Sequence, residues 1–210
     1  DCALQPEQFA EVIRITREFA QKYDVSIYDE TTGKGRLRHL YIRYAEITDE
    51  LMVCYVVNGN GLKHEDILLK NLREALPNLK TVIFNSNREK TNVILGSKNR
   101  VAYGEGTIED ELCGKTFRIS PKSFYQVNPV QTEILYNTAM DYAGLTGKET
   151  VIDAYCGIGT ISLVAAKRAK KVIGVELNKD AVHDAKINAK ENMMKNVFFK
   201  EDDAGRFMVD

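Results

Sequence analysis

With 210 residues, 44% of them hydrophobic and 28% charged, the chain has room for one large domain or two small ones and falls outside the disordered classes. A formal net charge of −1 excludes a nucleic-acid footprint spread over the whole chain, so any such surface has to be local. The longest apolar runs, such as Leu51 to Val57, are strand-sized and no charged-then-apolar leader opens the chain, which predicts a cytoplasmic protein with no membrane span.

In chain order, apolar residues Phe9, Val12, Ile13, Thr16, Phe19, Ala20 and Tyr23 recur at helical spacing and predict an amphipathic helix over 6–23 that covers a sheet. Two strands, 37–47 and 51–57, follow around a Thr48-Asp49-Glu50 turn, and Asn58-Gly59-Asn60-Gly61 then breaks the pattern. A second helix over 64–76 and a strand over 79–84 complete a small α+β module with a mostly antiparallel sheet. Lys34, Arg36, Arg38, His39 and Arg43 cluster in its first loop and strand, with Tyr41 and Tyr44 between them. That composition suits tracking a phosphate backbone and stacking bases, and it equally suits a solvated strand face with two core tyrosines.

Glycine-punctuated short strands over 92–119 read as hairpins connecting the two halves. Asn128 as N-cap, Pro129 at the first helical position and Gln131 at the third predict a helix to about Tyr142, ended by Gly144 and Gly147. The stretch from Val151 to Ser162 then reads as a buried strand, a tight turn through Gly157 and Gly159, and a helix start at Thr160. Gly157-x-Gly159 matches the dinucleotide fingerprint only in part, because Ser162 stands where the third glycine belongs. Asp153 before the turn would repel a pyrophosphate but tolerate the sulfonium and amino group of S-adenosylmethionine, so a nicotinamide oxidoreductase is the disfavoured reading. An αβ turn with no ligand is the plainest one.

Lys171 to Glu176 repeats the strand pattern and ends on a carboxylate suited to ribose hydroxyls. A helix capped by Asn178 runs to about Asn192, and a third strand, 197–200, leads to Asp203, which fits either an adenine amino group or a helix N-cap. The resulting βαβαβ run is half of a doubly wound sheet, with Asp153, Glu176 and Asp203 at carboxyl ends of strands. The expected fold class is therefore α/β: a partial Rossmann-like domain over 121–210 preceded by a small α+β domain over 1–120. Cys2, Cys54, Cys113 and Cys156 form no CxxC pair and the three histidines share no ligand spacing, so no metal site built within the chain is expected. A start at Asp1 and a stop at Asp210 just after a third strand predict a fragment of a longer protein.

Phe124-Tyr125-Gln126-Val127-Asn128, Asp153-x-Tyr155-Cys156-Gly157-x-Gly159-Thr160, Glu176 and Asp203-Ala204 together resemble the RNA (uracil-5-)-methyltransferases acting on 23S ribosomal RNA, relatives of the tRNA enzyme of the same chemistry. The similarity is strongest from Lys122 to Ala204. It implies a class I methyltransferase domain in which Gln126, Tyr155, Glu176 and Asp203 contact S-adenosylmethionine, with Glu176 on the ribose and Asp203 near adenine, around the turn carrying Asp153, Gly157, Gly159 and Thr160. It implies RNA as partner, with Phe124 facing it; Lys122, Arg36, Arg38 and Arg43 are the basic candidates beside it. Some members hold a cysteine-ligated iron–sulfur cluster whose last ligand sits where Cys2 does, so Cys2 is a relic of that set or a plain thiol. The family's nucleophilic cysteine, which adds to uracil C6, and its carboxylate base have no counterpart in this chain, and Cys156 inside the turn reads as a small packed residue. The isolated chain is accordingly expected to be inactive, and its half-sheet, with an open edge and an apolar face, to be marginally stable or to self-associate. The alternatives are an RNA-binding module with a vestigial Rossmann-like half, and a tRNA uracil-5 methyltransferase.

Overall fold

The computed structural model describes residues 5–209, so Cys2 lies outside the described residues. The chain forms two compact units, one up to Ile108 and one from Glu109. The division falls twelve residues before the expected one at 120/121. The reason is packing: Leu112 and Phe117 are fully buried among Tyr136, Met140, Leu163 and Val172, so the hairpin read as a connector belongs to the core of the second unit.

In the first unit, α1 (Gln8–Lys22) and α2 (Glu65–Ala75) cover a four-stranded sheet of β1 (Leu37–Ala45), β2 (Glu50–Val57), β3 (Leu79–Ser86) and β4 (Lys98–Tyr103), in the order β1-β2-β3-β4. The stripe on α1 is Val12, Ile15, Thr16 and Phe19, whereas Ile13 is exposed. Thr16 fits that apolar stripe because its hydroxyl bonds the Val12 carbonyl and the buried Tyr55 hydroxyl, at 2.7 and 2.8 Å. Leu51, Val53, Tyr55 and Val57 of the central strand alternate onto this core. The sheet is mixed rather than mostly antiparallel. β2 and β3 run parallel, since α2 carries the chain back across the sheet between them, and β4 adds as the fourth strand where only a connection was expected.

The second unit carries the hairpin β5 (Ile108–Leu112) and β6 (Lys115–Ile119), then α3 (Pro129–Ala143), β7 (Thr150–Ala154), α4 (Thr160–Ala165), β8 (Lys171–Glu176), α5 (Lys179–Glu191), β9 (Val197–Glu201) and α6 (Ala204–Val209). Asn128 caps α3 by accepting from the Gln131 amide, and Asn178 caps α5 by accepting from the Asp180 and Ala181 amides. β7, β8 and β9 form a parallel sheet in chain order. One row across it, Ile152, Ile173 and Phe198, is in register, and its outer members are 48% and 52% exposed.

A polar ladder every fourth residue joins α5 and the residues after it to the rest of the unit. Asn192 accepts from the Thr116 amide (3.1 Å) and donates to the Thr116 carbonyl (2.6 Å). The fully buried Asn188 accepts from the Arg118 amide (2.8 Å), and Asp184 accepts from the Ser120 and Ser123 hydroxyls, each at 2.8 Å. Asn196 donates to the Ala166 and Ala169 carbonyls. Side chains of a helix thereby pair the outer edge of β6, whose backbone groups would otherwise lack partners. They also hold the 120–128 segment that leads into α3.

Candidate functional site

The carboxyl ends of β7 and β8 lie side by side, Ala154 opposite Val175, and the chain leaves β7 through Tyr155, Cys156 and Gly157. Tyr155 (φ 64°) and Gly157 (φ 55°) both take the left-handed conformation, which is costly for the tyrosine and free for the glycine. A Cβ on Gly157 would meet nothing within 4 Å, so the turn presents bare backbone to open space. Gly159 is needed for packing instead: a Cβ there would strike the Phe199 ring at 2.6 Å.

Glu176 ends β8, and its carboxylate accepts from the Gly157 amide (3.1 Å) and the Asn178 amide (2.8 Å). Asp153 accepts from the Ser162 hydroxyl at 2.6 Å. Burial pushes the Asp153 carboxyl above its ordinary value, the Ser162 hydroxyl and amide oppose this, and the neighbouring Glu176 adds to it. Ser162 is fully buried, and its hydroxyl explains why the position of a third glycine carries a serine here. Two carboxylates at adjacent strand tips favour a cationic group above the turn. α4 is only six residues long and contributes little opposing field.

Thr160 meets Tyr136 of α3, hydroxyl to hydroxyl at 3.0 Å, and Gln126 reaches the same Tyr136 hydroxyl. Gln126, Thr160, Asp153, Tyr155, Gly157 and Glu176 therefore gather around one turn. Tyr136 and Ser162 are members that sequence reasoning did not name as site residues; in the structure Thr132, Tyr136 and Met140, four apart, form the buried stripe of α3. Tyr155 is 73% exposed and Phe124 72% exposed, while Lys122 is tied to Asp180 at 3.4 Å.

Asp203 serves as the N-cap of α6, accepting from the Arg206 amide at 2.9 Å, the second of the two roles open to it. The adjacent Asp202 is the buried carboxylate, and its pairs with Lys200 and Arg206 hold it at about 2. Cys156 is buried, and burial with Asp153 and Glu176 nearby pushes its thiol up to about 12. Cys54 is likewise raised to about 12 by burial, and Cys113 is raised by the same cause. Packing is thus the role of Cys156, whose sulfur would lie 2.9 Å from a Cβ on Gly174.

The basic candidates of the first unit separate. The Arg38 side chain has no exposed surface: it donates to the Asn87, Glu89 and Thr91 carbonyls, pairs with Glu30 and lies 4.2 Å over the Tyr28 ring. It is a staple for the 87–91 segment, which corrects the RNA-facing expectation, because β1 directs it inward. Arg43 lies half-buried, 5.3 Å over the Tyr41 ring, and Arg36 is exposed. Among the described residues no group of three His, Cys, Asp or Glu is gathered to hold a metal ion, and no helix is long and apolar enough to cross a membrane.

Residues 145–209 match the family model described as a methyltransferase domain. The chain is 49% identical over 199 residues to an uncharacterized RNA methyltransferase of Caldanaerobacter subterraneus subsp. tengcongensis, covering 95% of this chain and 44% of that protein. It is 44% identical over 207 residues to one of Oceanobacillus iheyensis, covering 99% and 45%. Among solved structures it is similar to the Pyrococcus abyssi tRNA (uracil-54, C5)-methyltransferase in complex with S-adenosyl-L-homocysteine, at 26% identity and a TM-score of 0.79 over 95% of this chain and 48% of that one. The chain spans less than half the length of the curated relatives it matches. The α/β architecture of the second unit is that of a Rossmann-like methyltransferase domain.

Proposed function

We propose that the chain is the cofactor-holding part of an S-adenosylmethionine-dependent RNA methyltransferase that forms 5-methyluridine. The observation that carries this reading is the pairing of Asp153 and Glu176 at adjacent strand tips around the bare backbone of Gly157. S-adenosylmethionine, when bound, supplies an electrophilic methyl group on a cationic sulfur. Glu176, already oriented by two amides, presents carboxylate oxygens for ribose hydroxyls. Asp153, fixed by Ser162, supplies negative charge to the cationic end. Tyr155, held out by its left-handed backbone, offers an exposed ring beside the turn, and Gln126 bonds the Tyr136 hydroxyl that also meets Thr160. Asp203 keeps its cap and bounds the adenine side.

RNA as substrate is supported by the names of the relatives, and uracil C5 by the Pyrococcus abyssi neighbour. We read 23S rRNA as the target, on the resemblance of residues 122–204, with tRNA as the alternative that the neighbour's name favours. Burial raises the thiols of Cys54, Cys113 and Cys156, which argues against each of them as the nucleophile for uracil C6.

Calorimetry with S-adenosylhomocysteine tests the cofactor site. Binding is expected, and Glu176→Ala should cost about 1–3 kcal/mol through lost charged hydrogen bonds. Preference for a nicotinamide dinucleotide, or an unaffected Glu176→Ala variant, would overturn the reading. Methyl transfer from tritiated cofactor to 23S rRNA by this chain, lost in Cys156→Ser, would restore that cysteine as nucleophile.

A further inference from the structure

The first unit gathers a group of arginines that the cofactor site does not use. β2 and β3 run parallel and end side by side, Val57 opposite Ser86. β2 passes into the turn Asn58-Gly59-Asn60-Gly61, and β3 leads to Arg88. β1 and β4 run antiparallel to them, so Arg36, just before β1, and Arg100, near the start of β4, reach the same end of the sheet.

All three converge on the one turn. Arg36 donates to the Asn58 carbonyl at 2.8 Å, and Arg88 donates to Asn60 Oδ1 at 2.9 Å. Arg100 donates to the Asn60 carbonyl at 3.3 Å and to both Glu65 oxygens at 2.8 Å, with its guanidinium 4.8 Å over the Phe84 ring. The glycines are what admit them. A Cβ on Gly59 (φ 151°) would run into the Arg36 guanidinium, and one on Gly61 would lie 2.7 Å from Arg100.

The anchors of Arg36 and Arg88 are neutral oxygens, and among the described residues neither has a carboxylate within 4 Å. Each exposed head therefore carries one anchoring hydrogen bond and, among the described residues, no ion pair, which leaves N–H donors for a ligand. Arg100 differs, since Glu65 neutralises it, so it braces the turn. Two anchored cations, with exposed Asn60 in the turn itself, exposed Lys63 two residues after it and exposed Lys98 opposite Ser86 at the same end of the sheet, suit an anion with repeated charges and hydroxyls between.

We infer that the Asn58–Gly61 turn with Arg36 and Arg88 is a docking surface for the phosphodiester backbone of RNA. This rests on the RNA-methyltransferase reading above and names where on the chain that RNA is held.

The test is fluorescence anisotropy of a labelled, uridine-bearing RNA stem-loop with the full chain over a series of salt concentrations. Replacing both residues, Arg36→Gln with Arg88→Gln, should lower the slope of log affinity against log salt by about 1.5, the share of two phosphate contacts. Arg36→Lys with Arg88→Lys keeps the charges and should retain most of the slope, which separates lost contacts from lost folding. Arg14→Gln, on the α1 surface and paired with Glu11 and Glu18, should leave the slope unchanged. An unchanged slope in the glutamine pair, or equal losses in the glutamine and lysine pairs, would overturn the assignment. So would an unaltered chain with no RNA affinity. S-adenosylhomocysteine titration of the same samples reports separately whether the methyltransferase reading stands.

Discussion

Replacing Asn188 by alanine should destabilise the second unit by about 3–5 kcal/mol. The side chain is fully buried, accepts from the Arg118 amide at 2.8 Å and donates to the Ile158 carbonyl at 3.1 Å. Each of the two partners left unpaired away from water costs about 1–3 kcal/mol, which comes to about 4 kcal/mol together at mid-range. Ile158 is 1% exposed, so solvent has little access to make good the loss. Asn192→Ala is the comparison. That side chain bonds the Thr116 amide and carbonyl in the same manner but is only half-buried, and water can replace it, so about 1–2 kcal/mol is expected. Urea titration followed through resonances of the second unit measures both, and hydrogen exchange at the Arg118 amide reports the bond itself. Equal losses in the two variants, or an Asn188→Ala loss below about 1 kcal/mol with Arg118 protection intact, would refute the ladder as a load on stability.

Three further outcomes follow from the same structure. The Thr146 hydroxyl, then the Thr146 and Lys148 amides, hold the Glu149 carboxyl at about 2. Its contribution to stability is therefore complete above the ordinary carboxylate value and is lost as pH falls toward about 2; an NMR titration midpoint near the ordinary value, or one unmoved by Thr146→Val, would contradict this. Cys156, pushed up to about 12 by burial, should react with an alkylating reagent far more slowly than an unperturbed thiol, read at that residue by peptide mass spectrometry; rates comparable to a free thiol would remove its packing role. The exposed Ile152–Phe198 face should support self-association seen by sedimentation at rising concentration, and Phe198→Ser should weaken it about ten-fold, the worth of roughly half a phenyl ring's burial; a monomer at every concentration would dismiss it.

The glycine turn after β7 was legible because glycine, carboxylate and cap residues carry local signals. Asn128 and Asn178 cap their helices as the residue types dictate, and Glu176 ends its strand where the apolar run stops. Long-range partners were not legible. Arg38 and Arg36 stand two apart in one basic cluster, yet the first is enclosed by the 87–91 segment and the second is exposed, a difference set by strand pairing some fifty residues away in the chain. The same holds for Ser162, whose reason is Asp153 across the turn, and for the 108/109 boundary, which follows from the burial of Leu112 and Phe117 among residues of α3, α4 and β8. The direction of β2 against β3 was equally hidden, since an apolar run has no polarity of its own.

The ladder on α5 works as a vernier. Four helical residues advance roughly 6.0 Å along the axis, while two strand residues advance roughly 6.8 Å. At Asn192 the side chain meets the Thr116 carbonyl at 2.6 Å and the Thr116 N–H at 3.1 Å, whereas at Asn188 the Arg118 N–H closes to 2.8 Å and the Arg118 carbonyl recedes to 3.5 Å, so the two pitches shift the pairing from one strand group to the other. The Asn188 amide also takes the Ile158 carbonyl inside the glycine turn, and at Asp184 the partners are the Ser120 and Ser123 hydroxyls. Successive rungs of one helix face thus hold the β6 edge, the glycine turn and the segment bearing Phe124. Inserting one residue in α5 before Asn188 would shift all three assignments together.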